Sequence, residues 1–199
     1  GVEPDMVCIA KGVASGMPLG ITMTKAEVMD WVPGSHASTF GGNPVAIAAA
    51  LATLDVIENE HLLENSAKVG SHMLKRMADW PSKLKLVGDV RGRGLMIGVD
   101  IVKDKASKEY GAAQRDRIVE MAFERGILFL GCGPSTVRIC PPLVVTKDEA
   151  DVALDVLEEC IERVAIGSAD NLGDRAVGEP SVLRLHRRAD DNAVPIALE

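Results

Sequence analysis

The sequence predicts a mixed α/β fold, on three observations. Short apolar runs bounded by glycine or proline, such as Met6 to Ala10 and Leu95 to Val102, have the character of buried strands. Longer stretches repeat apolar residues at three- and four-residue intervals, the spacing of a helix with one buried face. From about residue 58 to 166 the two kinds alternate as helix, strands, helix, strands and helix, which makes a compact α/β unit.

In chain order, Met6 to Ala10 reads as a short buried strand, Pro18 to Thr24 as a second, and Lys25 to Trp31 as one or two helical turns. The polar, glycine-rich stretch "GSHASTFGGNP" follows. It ends in Asn43-Pro44, a helix-start signal: asparagine caps, and proline fits the first helical position because its missing N–H would be unpaired there. The alanine-rich run from Pro44 to Glu58 is small and apolar on most sides, which suits a helix packed closely between other elements. From His61 to Trp80, residues Leu62, Leu63, Val69, Met73, Leu74 and Met77 recur at helical spacing, and Pro81 is expected to stop the run.

Leu84 to Val90 and Leu95 to Val102 read as strands around the turn "RGRG", in which Arg91 and Arg93 are expected to carry solvated heads. Ala112 to Arg125 reads as a helix closed by Gly126, and Ile127 to Leu130 and Thr136 to Cys140 as strands. A last helix opens at Thr146 with Glu149 three residues on, a capping box, and carries the stripe Ala153, Leu154, Leu157, Ile161 and Val164. Residues 167–199 mix Asp, Arg, Gly and Pro without sustained periodicity and read as a loosely ordered tail or an arm onto a neighbour.

Two blocks result. Residues 1–57 look like the end of a sheet domain with too few strands to protect its edges, so the chain is expected to be incomplete or to lean on a partner. Residues 58–166 form the second, smaller α/β domain.

Composition narrows the function. A net charge of −7 argues against nucleic acid, whose phosphates want a basic face, and 3% aromatic residues leave little to stack on bases. Cys8, Cys132, Cys140 and Cys160 form no CxxC pair and no cluster with histidine, so they read as buried thiols in a reducing, cytoplasmic setting. The four histidines show no metal-ligand spacing. No apolar run is long enough to span a bilayer, and no secretory leader pattern opens the chain.

Three places carry candidate chemistry. Lys11, in "MVCIAKGVASGMPLG", is either a solvated turn residue or an amine partly desolvated near a sheet edge, able in its neutral form to attack an aldehyde. Gly12, Gly16 and Gly20 would let the backbone approach a flat cofactor; a Walker-type phosphate loop fits less well, because its lysine follows the glycines. The stretch "HASTFGGNP" is either a polar connection or an anion site, with hydroxyls at Ser35, Ser38 and Thr39 ahead of a helix N-terminus. Arg138, between Val137 and Ile139, either pairs with one of the protein's own carboxylates or offers its planar fork to a substrate carboxylate.

Taken together, "AKGVASGMPLG", "GSHASTFGGNPVA", "VRGRGLMIGVD" and "GCGPSTVRICPPL", in this order and spacing over about residues 2–166, resemble the C-terminal portion of class III pyridoxal-phosphate-dependent aminotransferases, in particular the 4-aminobutyrate and ornithine aminotransferase branch. The resemblance implies the C-terminal part of a type I PLP-dependent transferase fold, with residues 1–57 ending its large domain and residues 58–166 forming its small one. It implies pyridoxal 5'-phosphate as cofactor, amino acids and 2-oxo acids as substrates, and a homodimer. Lys11 matches the lysine that binds the cofactor covalently and shuttles a proton. Thr39, beside Ser38, matches the contact to the cofactor phosphate across the dimer interface. Gly41 and Gly42 match the tight turn before the helix, and Arg138 the arginine that binds the carboxylate next to the reacting carbon. The family's aspartate facing the pyridine nitrogen, its glycine-rich phosphate turn and its ring-stacking aromatic lie N-terminal to the lysine. Ten residues precede Lys11 here, so the chain alone is expected to show little or no transaminase activity. Amino-acid racemases and epimerases share the same proton removal and are a second reading; a non-catalytic folding or assembly module is a third.

Overall fold

The computed structural model describes residues 1–167, so the expected tail lies, beyond Gly167, outside the described residues. The chain forms two compact units, Gly1–Leu63 and a second that begins at Glu64. No helix among the described residues is long and apolar enough to cross a membrane.

The first unit is built from two strands and one helix. Strand β1 (Met6–Ile9) pairs antiparallel with β2 (Ile21–Thr24), Met6 opposite Thr24 and Ile9 opposite Ile21. Between them Lys11–Ala14 forms one 3-10 turn. Only the last four residues of the expected second strand pair. Lys25 to Trp31 is not helical: it makes two i+3 turns, from Lys25 to Val28 and Ala26 to Met29, and Lys25 Nζ donates to Asp5 Oδ1 at 3.1 Å. Helix α1 (Pro44–Asn59) starts as the sequence predicts, with Asn43 Oδ1 accepting from the N–H groups of Val45 at 3.0 Å and Ala46 at 3.1 Å.

The unit buries little. Ala14, Ala46 and Ala50 are covered, whereas Val45, Ile47, Leu51, Leu54 and Val56 around the same helix are exposed. Within this chain α1 is therefore covered along one side, by the 3-10 turn, rather than packed between elements as its composition suggested.

The second unit has a core. Helix α2 (Leu62–Arg76) is followed by α3 (Trp80–Lys83), β3 (Val87–Arg93), β4 (Met96–Ile101), α4 (Ala112–Glu124), β5 (Leu130–Cys132), β6 (Thr136–Ile139) and α5 (Lys147–Gly167). The four strands form an antiparallel sheet in the order β3-β4-β6-β5. Side chains alternate across a strand, so Ile97, Val99, Ile101, Val137 and Ile139 point into the core. There they meet Val69 and Met73 of α2, Met77 just beyond its end, Trp80 of α3, Ile118 and Ala122 of α4, and Leu154, Leu157 and Ile161 of α5. Each large apolar side chain so buried contributes about 2 kcal/mol. The capping box forms at α5: Glu149 N donates to Thr146 Oγ1 at 3.2 Å, and Thr146 N to Glu149 Oε2 at 2.8 Å.

Several expectations are corrected. Pro81 does not stop a helix; α2 has ended at Arg76, and Pro81 lies in the first turn of α3. Of the stretch "RGRG" only the final glycine lies in the turn. Strand β3 runs on through Arg93, and the reversal falls at Gly94, whose φ is +56°. The strand expected at Ile127 begins instead at Leu130. Three of the four thiols are not buried: Cys8, Cys132 and Cys140 are exposed, and only Cys160 is buried, all four free. Alternation explains Cys140, for its apolar neighbours Val137 and Ile139 point to the core while Arg138 and Cys140 share the opposite parity.

Candidate active site

Lys11 sits where β1 gives way to the 3-10 turn. The preceding Ala10 is extended, and Lys11 itself adopts φ +56°, a left-handed conformation that costs a non-glycine residue about 1 kcal/mol. The turn is held from its far end. Ala14 is fully buried, Ser15 (φ +45°) donates its N–H to Gly12 O at 3.2 Å, and Ser15 Oγ lies 2.9 Å from Thr53 Oγ1 on α1. Thr53 spends its hydroxyl hydrogen on Ala49 O at 2.8 Å, so Ser15 must be the donor in the pair. The amine of Lys11 is exposed and takes part in no hydrogen bond or ion pair among the described residues. Nothing lies within 4 Å of where a Cβ of Gly12 or Gly16 would stand, so the backbone after Lys11 is open to a flat ligand.

The loop ahead of α1 is exposed. Ser35 Oγ donates to Val32 O at 2.7 Å and is spent locally, whereas the side chains of Ser38 and Thr39 have no partner among the described residues. Gly41 N bonds to Ser38 O at 3.3 Å, and Gly42 turns the chain at φ +72°. Asn43 takes the N–H groups of Val45 and Ala46, so the helix end offers fewer free donors than the sequence suggested. An anion here would meet the Ser38 and Thr39 hydroxyls, loop N–H groups and the positive end of the helix dipole. No acidic residue lies between Ser35 and Asn43 to oppose it.

Arg138 belongs to the second unit. It projects from β6 on the open face of the sheet, aligned with Gly98 of β4 and Leu130 of β5. No carboxylate pairs with it among the described residues. Six of the eight described arginines, Arg76, Arg91, Arg115, Arg117, Arg125 and Arg163, are in ion pairs. Arg138 and Arg93 are not.

The charges beside Arg138 were missed. Arg91, expected as a solvated turn residue, donates Nη1 to Asp89 Oδ2 at 2.9 Å and Nη2 to Asp100 Oδ1 at 3.1 Å, and a second bond joins it to the other Asp100 oxygen. Thr136 Oγ1 donates to Asp100 as well. Burial of the Asp100 carboxyl works against its charge, yet the bonds from Arg91 and Thr136 outweigh it and hold its pKa below the usual carboxylate value. The bonds from Asp100 and Asp89 raise the Arg91 pKa in turn. Opposite charges two residues apart, Asp89 and Arg91, were the signal for this cluster. The Ser15–Thr53 link left no signal in the sequence.

Lys11, Ser38 and Thr39 thus lie in the first unit and Arg138 in the second. Their chemistry fits the cofactor that the resemblance implies: a free primary amine suits an aldehyde, and unpaired hydroxyls in a loop without carboxylates suit a phosphate.

The sequence profile of the class III aminotransferases matches residues 1–161. The leucine/methionine racemase of Thermococcus litoralis is 41% identical over 178 residues, 89% of this chain and 40% of that protein. The acetylornithine aminotransferase of Methanothermobacter thermautotrophicus is 41% identical over 162 residues, 81% of this chain and 39% of that protein. A PLP-bound amine transaminase from an uncultivated Pseudomonas species superposes with a TM-score of 0.75 at 37% identity, over 81% of this chain and 39% of its own. The chain therefore spans about 40% of the length of the relatives it matches, and its mixed α/β fold matches a portion of theirs. By this match the chain belongs to the class III aminotransferase family.

Proposed function

We propose that the protein to which these residues belong is a pyridoxal-phosphate-dependent aminotransferase. It moves the amino group of an amino acid or an ω-amino acid such as 4-aminobutyrate to 2-oxoglutarate, and it works as a homodimer in the cytoplasm. The observation that carries this reading is the class III match over residues 1–161, which contains a lysine at a left-handed turn whose amine has no partner among the described residues. The cofactor, when bound, supplies an electron sink for the bond broken at the substrate carbon.

The chain's own residues supply the rest. Lys11 would hold the cofactor aldehyde through Nζ and, once freed, its amine would take and return the proton at the substrate carbon. Ser38 and Thr39 hold the phosphate through their hydroxyls, Thr39 reaching the site of the second copy. Arg138 clamps the carboxylate beside the reacting carbon. The residues 1–57 end the cofactor-binding domain and residues 58–166 make the small domain. With about 40% of its relatives' length, the chain alone is expected to turn over little or nothing.

A second reading is favoured by one observation: two relatives at 41% identity are the leucine/methionine racemase above and the alanine/serine racemase of Pyrococcus horikoshii. Proton removal is common to both reactions; a racemase returns the proton to the opposite face of the same carbon. Product analysis of the full-length protein with an L-amino donor and 2-oxoglutarate separates them. Glutamate and a new 2-oxo acid support the aminotransferase; loss of optical rotation without a 2-oxo acid supports the racemase and overturns it.

A further inference from the structure

The open face of the second unit's sheet presents two adjacent rows. One runs Arg91, Gly98, Arg138 and Leu130, the other Asp89, Asp100, Thr136 and Cys132. Gly98 has no side chain, and a Cβ added there would come 3.0 Å from Thr136 Cγ2. Asp100 follows Gly98 by two residues on the same strand face. It is therefore the diagonal neighbour of both arginines, at about 7–8 Å, within reach of such long side chains.

One carboxylate thus stands between two guanidinium groups, and the structure gives it to Arg91. Asp100 Oδ1 accepts from Arg91 Nη2 and Thr136 Oγ1, and Oδ2 from Arg91 Nη1, while Asp89 adds a bond to Arg91 from the far side. Three of the carboxylate's roughly four acceptor positions are thus taken, two of them by Arg91. Arg138 has no hydrogen-bond or ion-pair partner among the described residues.

We propose that Arg91 is a positioning residue for carboxylate recognition: by occupying Asp100 it keeps Arg138 unmasked for the substrate. Without Arg91, Asp100 is a partly buried carboxylate that keeps only the Thr136 hydroxyl and has no cation paired with it, one strand away from Arg138. Its turn toward Arg138 satisfies both groups and closes the carboxylate site. The inference rests on the reading that Arg138 binds a carboxylate, and the test separates the two.

The 199-residue chain is titrated with 2-oxoglutarate while the guanidinium Nε–H resonances are followed by NMR, with circular dichroism as the check on folding. In the wild type the Arg138 signal moves, and Arg138→Gln abolishes binding. Arg91→Gln weakens binding about tenfold, and Arg91→Gln with Asp100→Asn restores it to within about twofold of wild type. A merely structural role for Arg91 would leave the double variant as weak as the single one, which overturns the proposal, as does wild-type binding by Arg91→Gln. Should Arg91→Gln fail to fold, Asp100→Asn alone answers: binding equal to or tighter than wild type is expected, and a tenfold loss contradicts it. If Arg138→Gln binds as well as wild type, the carboxylate reading of Arg138 falls first and the inference with it.

Discussion

Gly70 of α2 lies against the backbone of Gly94 in the β3–β4 reversal: a Cβ on Gly70 would stand 2.0 Å from the Gly94 carbonyl oxygen and 2.3 Å from its carbonyl carbon. Gly94 in turn has φ +56°, and a Cβ on it would meet Ser66 Oγ at 2.7 Å. Ser66 Oγ also accepts from Leu95 N at 3.3 Å. This seat docks the β3–β4 hairpin on α2, and the hairpin carries Arg91, Gly98 and Asp100.

Gly70→Ala is accordingly expected to destabilise the second unit by about 3 kcal/mol, since backbone atoms rather than a flexible side chain must give way. Urea unfolding followed by the fluorescence of the buried Trp80 measures it. A change within about 0.5 kcal/mol would contradict the close approach.

Asn43→Ala removes the acceptor that serves the Val45 and Ala46 N–H groups, and costs α1 about 1 kcal/mol. Hydrogen exchange checks it locally: protection at Val45 and Ala46 falls, while that at Leu154 and Leu157 in the second unit does not change.

The pH dependence follows from the lowered pKa of Asp100. A carboxylate held below its unfolded value near 4 contributes stability that is complete above that value and lost as pH falls through its folded one. Wild type is therefore expected to be more stable than Asp100→Asn at pH 6, and the gap to shrink steadily between about pH 4 and pH 2. Denaturation midpoints of both proteins across this range test it. A gap that does not change with pH would locate the stabilisation somewhere other than the charge of Asp100.

Much of the second unit was legible because its helices and strands are periodic and their buried faces are satisfied within the chain. The cap at Asn43 and the box at Thr146 and Glu149 could be read for the same reason: both are local, closed within three residues. What could not be read depends on contacts distant in sequence. The partner of Arg91 is nine residues away across a hairpin whose reversal falls at the last residue of the expected "RGRG" turn, so that Arg91 itself lies in the strand. The Ser15 hydroxyl finds Thr53 38 residues on. In the first unit the composition of α1 predicted burial on most sides, and the chain supplies cover for only one. Lys11 could be singled out as a candidate from the sequence, but not its left-handed backbone, since nothing local asks a lysine to adopt it.

The central claim is that Lys11 is the amine that takes the cofactor's aldehyde, and covalent trapping tests it most directly. The chain is incubated with limiting pyridoxal phosphate, reduced with borohydride, digested and mapped by mass spectrometry. Its ten lysines compete under the same conditions. The account predicts the reduced pyridoxyl label predominantly on the peptide containing Lys11, and its loss from that peptide without gain elsewhere in Lys11→Ala. A label spread evenly over exposed lysines such as Lys68, Lys85 and Lys147, with Lys11 no more reactive than they are, would contradict it.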